Sequence, residues 1–351
     1  MSFLYTVQID DSLAYIAQRF GITLQRLVHA NNICCPYLIY VGQRLIIPVD
    51  KNTYPINGGA QFYPLAGKIY TSANGHSASI ASLIDQVSVE KIIEKKGTMQ
   101  DGVLKFTFPR YDLKVSVGSV SIEPELALTS WMAFHQVGNQ SMVMGDLVLS
   151  ENEIDPVVSQ LIADGFEITA LHNHLLHELP RIMYLHISGI GDAVKLAQGI
   201  KNVLSVTQTP LSGQSTGQTL PDEYWSAVEG IMGKKGNRIG RVIQFSFPRA
   251  DKINEFGVEI LPSMGISQAI NFQAEEQNAA TTGDFVLIAR EVNPVIRTLK
   301  QYAIEVTAIH NHMLYETPRL FFLHFWAVDN PEKLAYALKQ ALGQTNTVIG
   351  H

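Results

Sequence analysis

Cysteine is almost absent from this 351-residue chain: Cys34 and Cys35 are the only two, and they are adjacent. Neighbouring thiols close only a strained ring, and two are too few for a thiolate zinc site, so neither disulfides nor cysteine-bound metal is expected to hold the fold. An excess of positive charge is missing too. Lys and Arg number 26 against 32 Asp and Glu, a formal net charge of −6, which excludes the basic footprint of a non-specific nucleic-acid binder. Long apolar runs are lacking: each is short or broken by His, Gly or charge, so no membrane span is expected. The stretch Met1-Ser2-Phe3-Leu4-Tyr5-Thr6-Val7-Gln8 has no basic region, no apolar core and no small-residue cleavage site, so no cleaved secretion signal is expected. What is present, 46% hydrophobic and 17% charged residues, suffices for ordinary buried cores. The length implies two or three domains.

Residues 1–49 read as strand, helix, helix, strand. Asp11-Ser12 offers cap chemistry for a helix carrying Leu13, Ile16, Ala17 and Phe20 on one face; Thr23 caps a second through Leu24, Leu27, Val28 and Ala30; Arg44-Leu45-Ile46-Ile47-Pro48 closes as a strand. The set Tyr5-Thr6-Val7-Gln8, Asp11-Ser12-Leu13, Ile16-Ala17, Phe20-Gly21, Ala30-Asn31-Asn32, Ile39-Tyr40, Gly42-Gln43 and Leu45-Ile46-Ile47-Pro48 resembles the LysM family from end to end. The resemblance implies a βααβ module that binds N-acetylglucosamine-containing glycan, peptidoglycan or chitin, in a groove between two loops. By position, that groove is Ile9, Asp10, Asp11, Ser12 and Leu13 with Cys34, Cys35, Pro36, Tyr37, Leu38, Ile39 and Tyr40.

Residues 50–82, with Pro55, Gly58-Gly59, Pro64 and Gly67, read as a linker. The remainder is an internal duplication. Lys95-Lys96-Gly97 recurs as Lys234-Lys235-Gly236, Phe108-Pro109-Arg110 as Phe247-Pro248-Arg249, and Gly145-Asp146 as Gly283-Asp284. The closest echo is Thr169-Ala170-Leu171-His172-Asn173-His174 against Thr307-Ala308-Ile309-His310-Asn311-His312, with Glu178, Arg181 and His186 returning as Glu316, Arg319 and His324. Two copies are expected, 83–208 and 222–345, joined by a connector at 209–221. Within a copy the order is helix, two or three strands, helix, β-hairpin and a final helix, which indicates an α+β class; the halves are expected to pack as a pseudo-dimer.

Chemistry, if any, is expected at the hairpin. Strand alternation puts His172 and His174 on one face, and a turn centred on Leu179 would set His172 opposite His186; the second copy would repeat this with His310, His312 and His324. Each trio, with Glu178 or Glu316 in its turn, forms a candidate site for a divalent transition metal, zinc first, then manganese or iron. Asp146 and Asp284 would orient a ligand imidazole, and Arg181 and Arg319 would take a substrate carboxylate or phosphate. The competing reading is three hydrogen-bonded imidazoles on a half-buried sheet face.

Both copies also resemble the bacterial domain of unknown function typified by the mycobacterial lipoproteins LppY and LpqO. The segments that carry the likeness are Met144-Gly145-Asp146-Leu147-Val148-Leu149, Thr169 to Leu176, Pro180-Arg181 and Met183-Tyr184-Leu185-His186-Ile187. That resemblance implies relatives but no reaction. The reading that results is a LysM-tethered protein of the bacterial cell envelope or spore surface, exported without a recognisable signal or retained in the cytoplasm. Its duplicated domains would carry a metal centre each, as in a metal-dependent hydrolase acting on wall-derived substrate. The alternative is a non-catalytic cell-wall or spore-coat structural or binding protein. Partners are expected to be peptidoglycan or chitin-type glycan, with no nucleic acid.

Overall fold

The computed structural model describes residues 2–7, 11, 13–20, 22–31, 33, 39, 42–48, 84–213, 219–221 and 223–348. The expected linker at 50–82 and residues 214–218 of the expected connector lie outside them. The chain divides into two compact units, Met1–His76 and Ser77–His351.

The first unit runs β1 (Ser2–Thr6), α1 (Leu13–Arg19), α2 (Leu24–Ala30) and β2 (Arg44–Pro48), with β1 antiparallel to β2 and Tyr5 opposite Leu45. Helical and strand periodicities converge on one core of Val7, Leu13, Ile16, Ala17, Leu27, Leu45 and Ile47. Thr23 caps α2 by accepting the Arg26 amide at 3.2 Å. Asn31 ties the end of that helix to the sheet: its Nδ2 donates to the Leu27 and Ile46 carbonyls at 2.8 and 2.7 Å, and its Oδ1 accepts the Ile46 amide at 2.5 Å. In so small a core, such polar ties carry a large share of the stability.

The second unit holds both repeats. The first runs α3 (Gln86–Ile93), β3 (Thr98–Gln100), β4 (Val103–Pro109), β5 (Ser116–Val117), β6 (Val120–Ser121), α4 (Pro124–Ala127), β7 (Thr129–Val137), β8 (Gln140–Ser150), α5 (Glu151–Ala163), β9 (Glu167–His172), β10 (Glu178–Leu179), β11 (Ile182–Gly191) and α6 (Ala193–Ser205). The second runs α7 (Ser226–Met232), β12 (Asn237–Ile239), β13 (Val242–Pro248), β14 (Ile253–Glu255), β15 (Val258–Ile260), a 3-10 turn (Pro262–Met264), β16 (Ser267–Glu275), β17 (Asn278–Ile288), α8 (Ala289–Gln301), β18 (Glu305–His310), β19 (Leu320–Asp329) and α9 (Pro331–Leu342). Each repeat builds one antiparallel six-stranded sheet, in the orders β3-β4-β7-β8-β11-β9 and β12-β13-β16-β17-β19-β18. Strands β7 and β16 were not anticipated from the sequence. Strand β7 carries apolar residues on both faces, Trp131, Ala133 and Val137 on one and Met132 and Phe134 on the other, which hides the period-two signal that marks a half-exposed strand.

Parity along the central strands sets the layers. Val143, Leu147 and Leu149 of β8 and Leu185 and Ile187 of β11 join Val89, Val157, Leu161, Ile200 and Val203 of α3, α5 and α6. The alternate residues face the other repeat. Met142 and Met144 pack with Met264, Val286 and Phe322, while Val148 and Tyr184 pack with Val242, Ala280 and Trp326. The unit is thus helices, sheet, sheet, helices, with the two sheets face to face as a pseudo-dimer.

Two repeated motifs serve this framework. In Lys-Lys-Gly, Glu90 accepts Lys96 at 2.6 Å and the Gly97 amide at 3.1 Å, and Glu229 does the same for Lys235 and Gly236 at 2.8 and 3.2 Å. In Phe-Pro-Arg, the buried Arg110 grips Glu153 through both terminal nitrogens at 3.0 Å, and Arg249 grips Glu291 at 2.6 and 3.2 Å.

The hairpin register differs from expectation. His172 stands opposite Tyr184, not His186, whose partner is Ala170; in the second repeat His310 stands opposite Phe322 and His324 opposite Ala308. The turn is no tight hairpin. Its residues 178–179 leave the sheet as β10 to pair with β5, which lengthens the loop and slides the register by two. A two-residue slide preserves the face, so the histidines stay on the side they were assigned.

Candidate metal centre

Strands β9, β11, β18 and β19, with the segments that follow β9 and β18, bring six of the eight histidines of the two repeats into one cluster: His172, His174, His186, His310, His312 and His324. His172 and His310 stack with ring centroids 3.4 Å apart. His174 lies 3.8 Å from His324, and His186 lies 3.7 Å from His312. Tyr184 covers His174 at 3.3 Å, and Phe322 covers His312 at 3.4 Å. Every contact has its mirror at an offset of 138 residues, which is the signature of a two-fold interface. The expectation of a separate trio in each repeat is therefore corrected: each sheet exposes only half of one shared centre, because its histidine face is the face that packs on the other sheet.

Backbone exchanges lock this register. The Thr169 hydroxyl donates to the His312 carbonyl and the Thr307 hydroxyl to that of His174. Asn173 Nδ2 donates to the Thr307 carbonyl at 3.2 Å, and Asn311 Nδ2 to that of Thr169 at 2.8 Å. The middle letter of each His-Asn-His is thus a clamp between repeats. These four residues, with Tyr184 and Phe322, were not singled out as site residues; for the clamps, only their recurrence within the duplicated motif could have marked them.

Asp146 and Asp284 enter the centre directly rather than from behind it. Asp146 Oδ2 lies 3.8 Å from His174 Nε2 and its Oδ1 3.8 Å from His186 Nε2. Asp284 Oδ2 lies 3.3 Å from His312 Nε2, and its Oδ1 is 4.0 Å from His324 Nδ1. The glycine before each aspartate is required by strand approach. A Cβ on Gly283 would meet the Ala269 carbonyl oxygen at 1.9 Å, and one on Gly145 would meet that of Trp131 at 2.8 Å.

The imidazoles are oriented for ligation. His172, His310 and His324 donate from Nδ1 to the carbonyls of Asn173, Asn311 and Gly283 at 3.0, 3.0 and 2.8 Å. A ring that donates from Nδ1 presents a bare lone pair at Nε2. All six Nε2 atoms are buried without a hydrogen-bond partner, as are one oxygen each of Asp146 and Asp284. Burial lowers the affinity of His172 for a proton to a pKa of about 3, and that of His310 to about 4. The other four rings are held well below their ordinary value by burial and then by neighbouring imidazoles. All six are therefore neutral, the form that binds metal. Burial pushes the Asp146 carboxyl up to about 7 and that of Asp284 well above its ordinary range. Groups of three or four convergent donor atoms lie within 4.8 Å of one another: His172, His186, His310 and His312; Asp284, His310, His312 and His324; and His172, His174 and His324.

Glu178 and Glu316 belong to none of these groups. Each is held by its own turn: Glu178 accepts the Ile182 amide at 3.4 Å, and Glu316 accepts the Leu320 amide at 2.9 Å and Arg319 at 3.2 Å. Glu178 lies on β10, which pairs with β5, and its Oε2 is buried without a hydrogen-bond partner, while Arg319 engages Glu316. Arg319 also donates to the Leu314 carbonyl at 3.0 Å, and Arg181 is exposed. Of the expected glycan groove, Asp11, Leu13 and Ile39 are described; Ile9, Asp10, Ser12, Cys34, Cys35, Pro36, Tyr37, Leu38 and Tyr40 lie outside the described residues. Asp11 accepts the Tyr5 hydroxyl at 2.7 Å, Leu13 is in the core, and Ile39 packs against it. Among the described residues, no helix is long and apolar enough to cross a membrane.

The family model described as "Domain of Unknown Function (DUF1259)" matches residues 87–206 and 226–344, and that of the LysM domain matches 5–48. No curated protein matches the chain. Two solved structures show distant likeness. The trimeric bacterial microcompartment shell protein PduB is 12% identical over 72% of this chain and 91% of that one, with a TM-score of 0.19. TP0453, crystal form I, is 11% identical over 74% and 98%, with a TM-score of 0.17. Scores this low bear on neither fold nor function.

Proposed function

Because this chain belongs to the DUF1259 family, twice over and behind a LysM domain, and the family's description names no reaction, we propose a function from its buried centre: a glycan-tethered protein that holds a transition metal between its repeats. One observation carries the proposal, the convergence of six unpartnered imidazole Nε2 atoms in a single buried layer. A buried polar atom left unpaired costs about 1–3 kcal/mol. Six of them rival a domain's whole net stability of roughly 5–15 kcal/mol. Metal bonds offset that cost, and the donor set suits such bonds. Neutral imidazoles with nearby carboxylates and no thiolate favour zinc, copper, nickel or iron over calcium or magnesium. A tetrahedral ion with bonds of about 2.1 Å keeps its ligands about 3.4 Å apart, comparable with the Asp284 to His312 distance of 3.3 Å.

Retention is better supported than turnover. A hydrolytic ion needs an open coordination position facing a substrate path, whereas His186 and His324 are 2% exposed and lie between two packed sheets. The LysM domain supports binding of peptidoglycan-type glycan, and such domains are typical of the cell envelope, which is where the centre would be displayed.

The test is metal analysis of tag-free protein, with His172→Ala, His310→Ala and the double variant beside it. Wild type should retain a d-block ion through dialysis and the double variant should lose most of it. Wild-type protein that folds fully and binds no such ion from buffered Zn(II) would overturn the proposal.

A further inference from the structure

We infer that the centre is dinuclear: it takes two transition-metal ions, each gripped by one imidazole from either repeat and both spanned by the carboxylate of Asp146. The inference rests on the metal-binding reading above and specifies what that site takes.

Symmetry gives the first reason. The two-fold relation exchanges His186 with His324 and His312 with His174, so the stacked pair His186/His312 is carried onto the pair His324/His174. A site built on one pair is therefore matched by a second on the other. Only an ion on the axis itself could remain single, and the axis passes between His172 and His310, whose rings stack at 3.4 Å. That pair stands between the two others: His172 is 5.1 Å from His174 and 5.0 Å from His186 by ring centroid, and His310 is 5.0 Å from His312 and 4.8 Å from His324. Each can complete either site.

The carboxylates give the second. Asp146 turns one oxygen to His174 and the other to His186, at 3.8 Å each, and these histidines belong to different pairs. Asp284 brings one oxygen to 3.3 Å from His312 Nε2, while its other lies 4.0 Å from His324 on the Nδ1 side that donates to the Gly283 carbonyl. A carboxylate that faces two ligand pairs with its two oxygens is placed to bridge two cations. The two carboxylates also answer the charge problem: four positive charges buried beside neutral imidazoles need nearby anions.

The donors suffice. One pair falls in the convergent group His172, His186, His310 and His312 and the other in His172, His174 and His324, and an oxygen of Asp146 lies 3.8 Å from one Nε2 of each pair. Neither repeat can assemble either site alone, because each pair spans the interface.

The full chain, purified without a tag and freed of metal by chelation, should be titrated with Co(II), following visible absorbance, and with Zn(II), counting bound ions by elemental analysis after gel filtration. The expected break is at two equivalents per chain. The double variant H186A/H312A should bind one equivalent, and so should H174A/H324A. Cu(II) loading of the wild type should give an integrated paramagnetic signal well below two spins per chain, because bridged ions couple. A wild-type break at one equivalent, with a full-intensity uncoupled Cu(II) signal, overturns the dinuclear inference and leaves the metal-binding reading standing. Zero equivalents overturns both. Circular dichroism of each variant establishes that a lost equivalent reflects lost ligands in a folded chain; should a pair variant not fold, the wild-type break decides alone.

Discussion

Lys105 and Gln244 occupy equivalent positions yet bring different charge to the same contact. Lys105 Nζ donates to the Ser263 carbonyl at 3.1 Å, and Gln244 Nε2 to that of Glu125 at 2.7 Å, each crossing to the other repeat. The ammonium also lies 4.6 Å over the Trp131 ring, which favours charge, but dehydration dominates and lowers its pKa to about 8. A folded value below the ordinary 10.5 means the unfolded chain binds this proton more tightly. The cost to folding is full below pH 8 and fades as pH rises through 8 toward 10.5. Lys105→Gln, which keeps a donor and removes the charge, should stabilise the protein by about 1–2 kcal/mol at pH 7 and by little at pH 10. Urea unfolding at the two pH values measures both; an equal gain at each would show that dehydration of the ammonium is not the cause. At this scale the candidate centre was partly legible. The duplicated histidines and Gly-Asp pairs stood out as repeated polar residues, whereas nothing in one dimension tells whether Glu178 turns toward the histidines or toward its own backbone.

At the scale of elements, α5 shows how a repeated arginine sets a helix start. Glu153 accepts the Ser150 amide at 2.8 Å, closing the first turn, and the Gln208 amide at 2.8 Å beyond α6. It also pairs with Arg110 at the end of β4. One carboxylate thus joins three segments. Burial alone would raise its pKa, but the two amides and the guanidinium hold it below the ordinary value. Its contribution is accordingly present at neutral pH and lost as acid titrates it. Glu153→Ala should cost about 3 kcal/mol, since it leaves a buried guanidinium with Asp112 at 2.8 Å and the Val148 carbonyl but without its buried carboxylate partner. Thermal unfolding measures the cost, and Glu291→Ala in the second repeat should behave alike. A change under about 0.5 kcal/mol, the range of ordinary surface substitutions, would refute the joining role. Helix α5 was legible as the helix before the hairpin because its cap and amphipathic face are local signals. The register of β9 on β11 was not, because it depends on where β10 goes, and β10 answers to a strand some 60 residues away.

At the scale of the molecule, the tether and the centre lie in different compact units and are expected to act independently. Deleting residues 1–76 should abolish pull-down on purified peptidoglycan while leaving metal content per chain unchanged. Binding that survives the deletion would move the glycan site into the repeats. The chain alone determined the parts: a βααβ module from its apolar spacing and caps, two copies of one α+β domain from their recurring motifs, and a histidine face on each from strand alternation. These follow from periodicities of two and 3.6 residues, which are properties of neighbouring positions. Only the tertiary structure decided that the two histidine faces are one. A face is assigned by local alternation, but its partner is assigned by which apolar surface buries it, and here Met144 and Tyr184 on one sheet find Phe322 and Trp326 on the other. The six imidazoles meet because hydrophobic burial brings the sheets together around them.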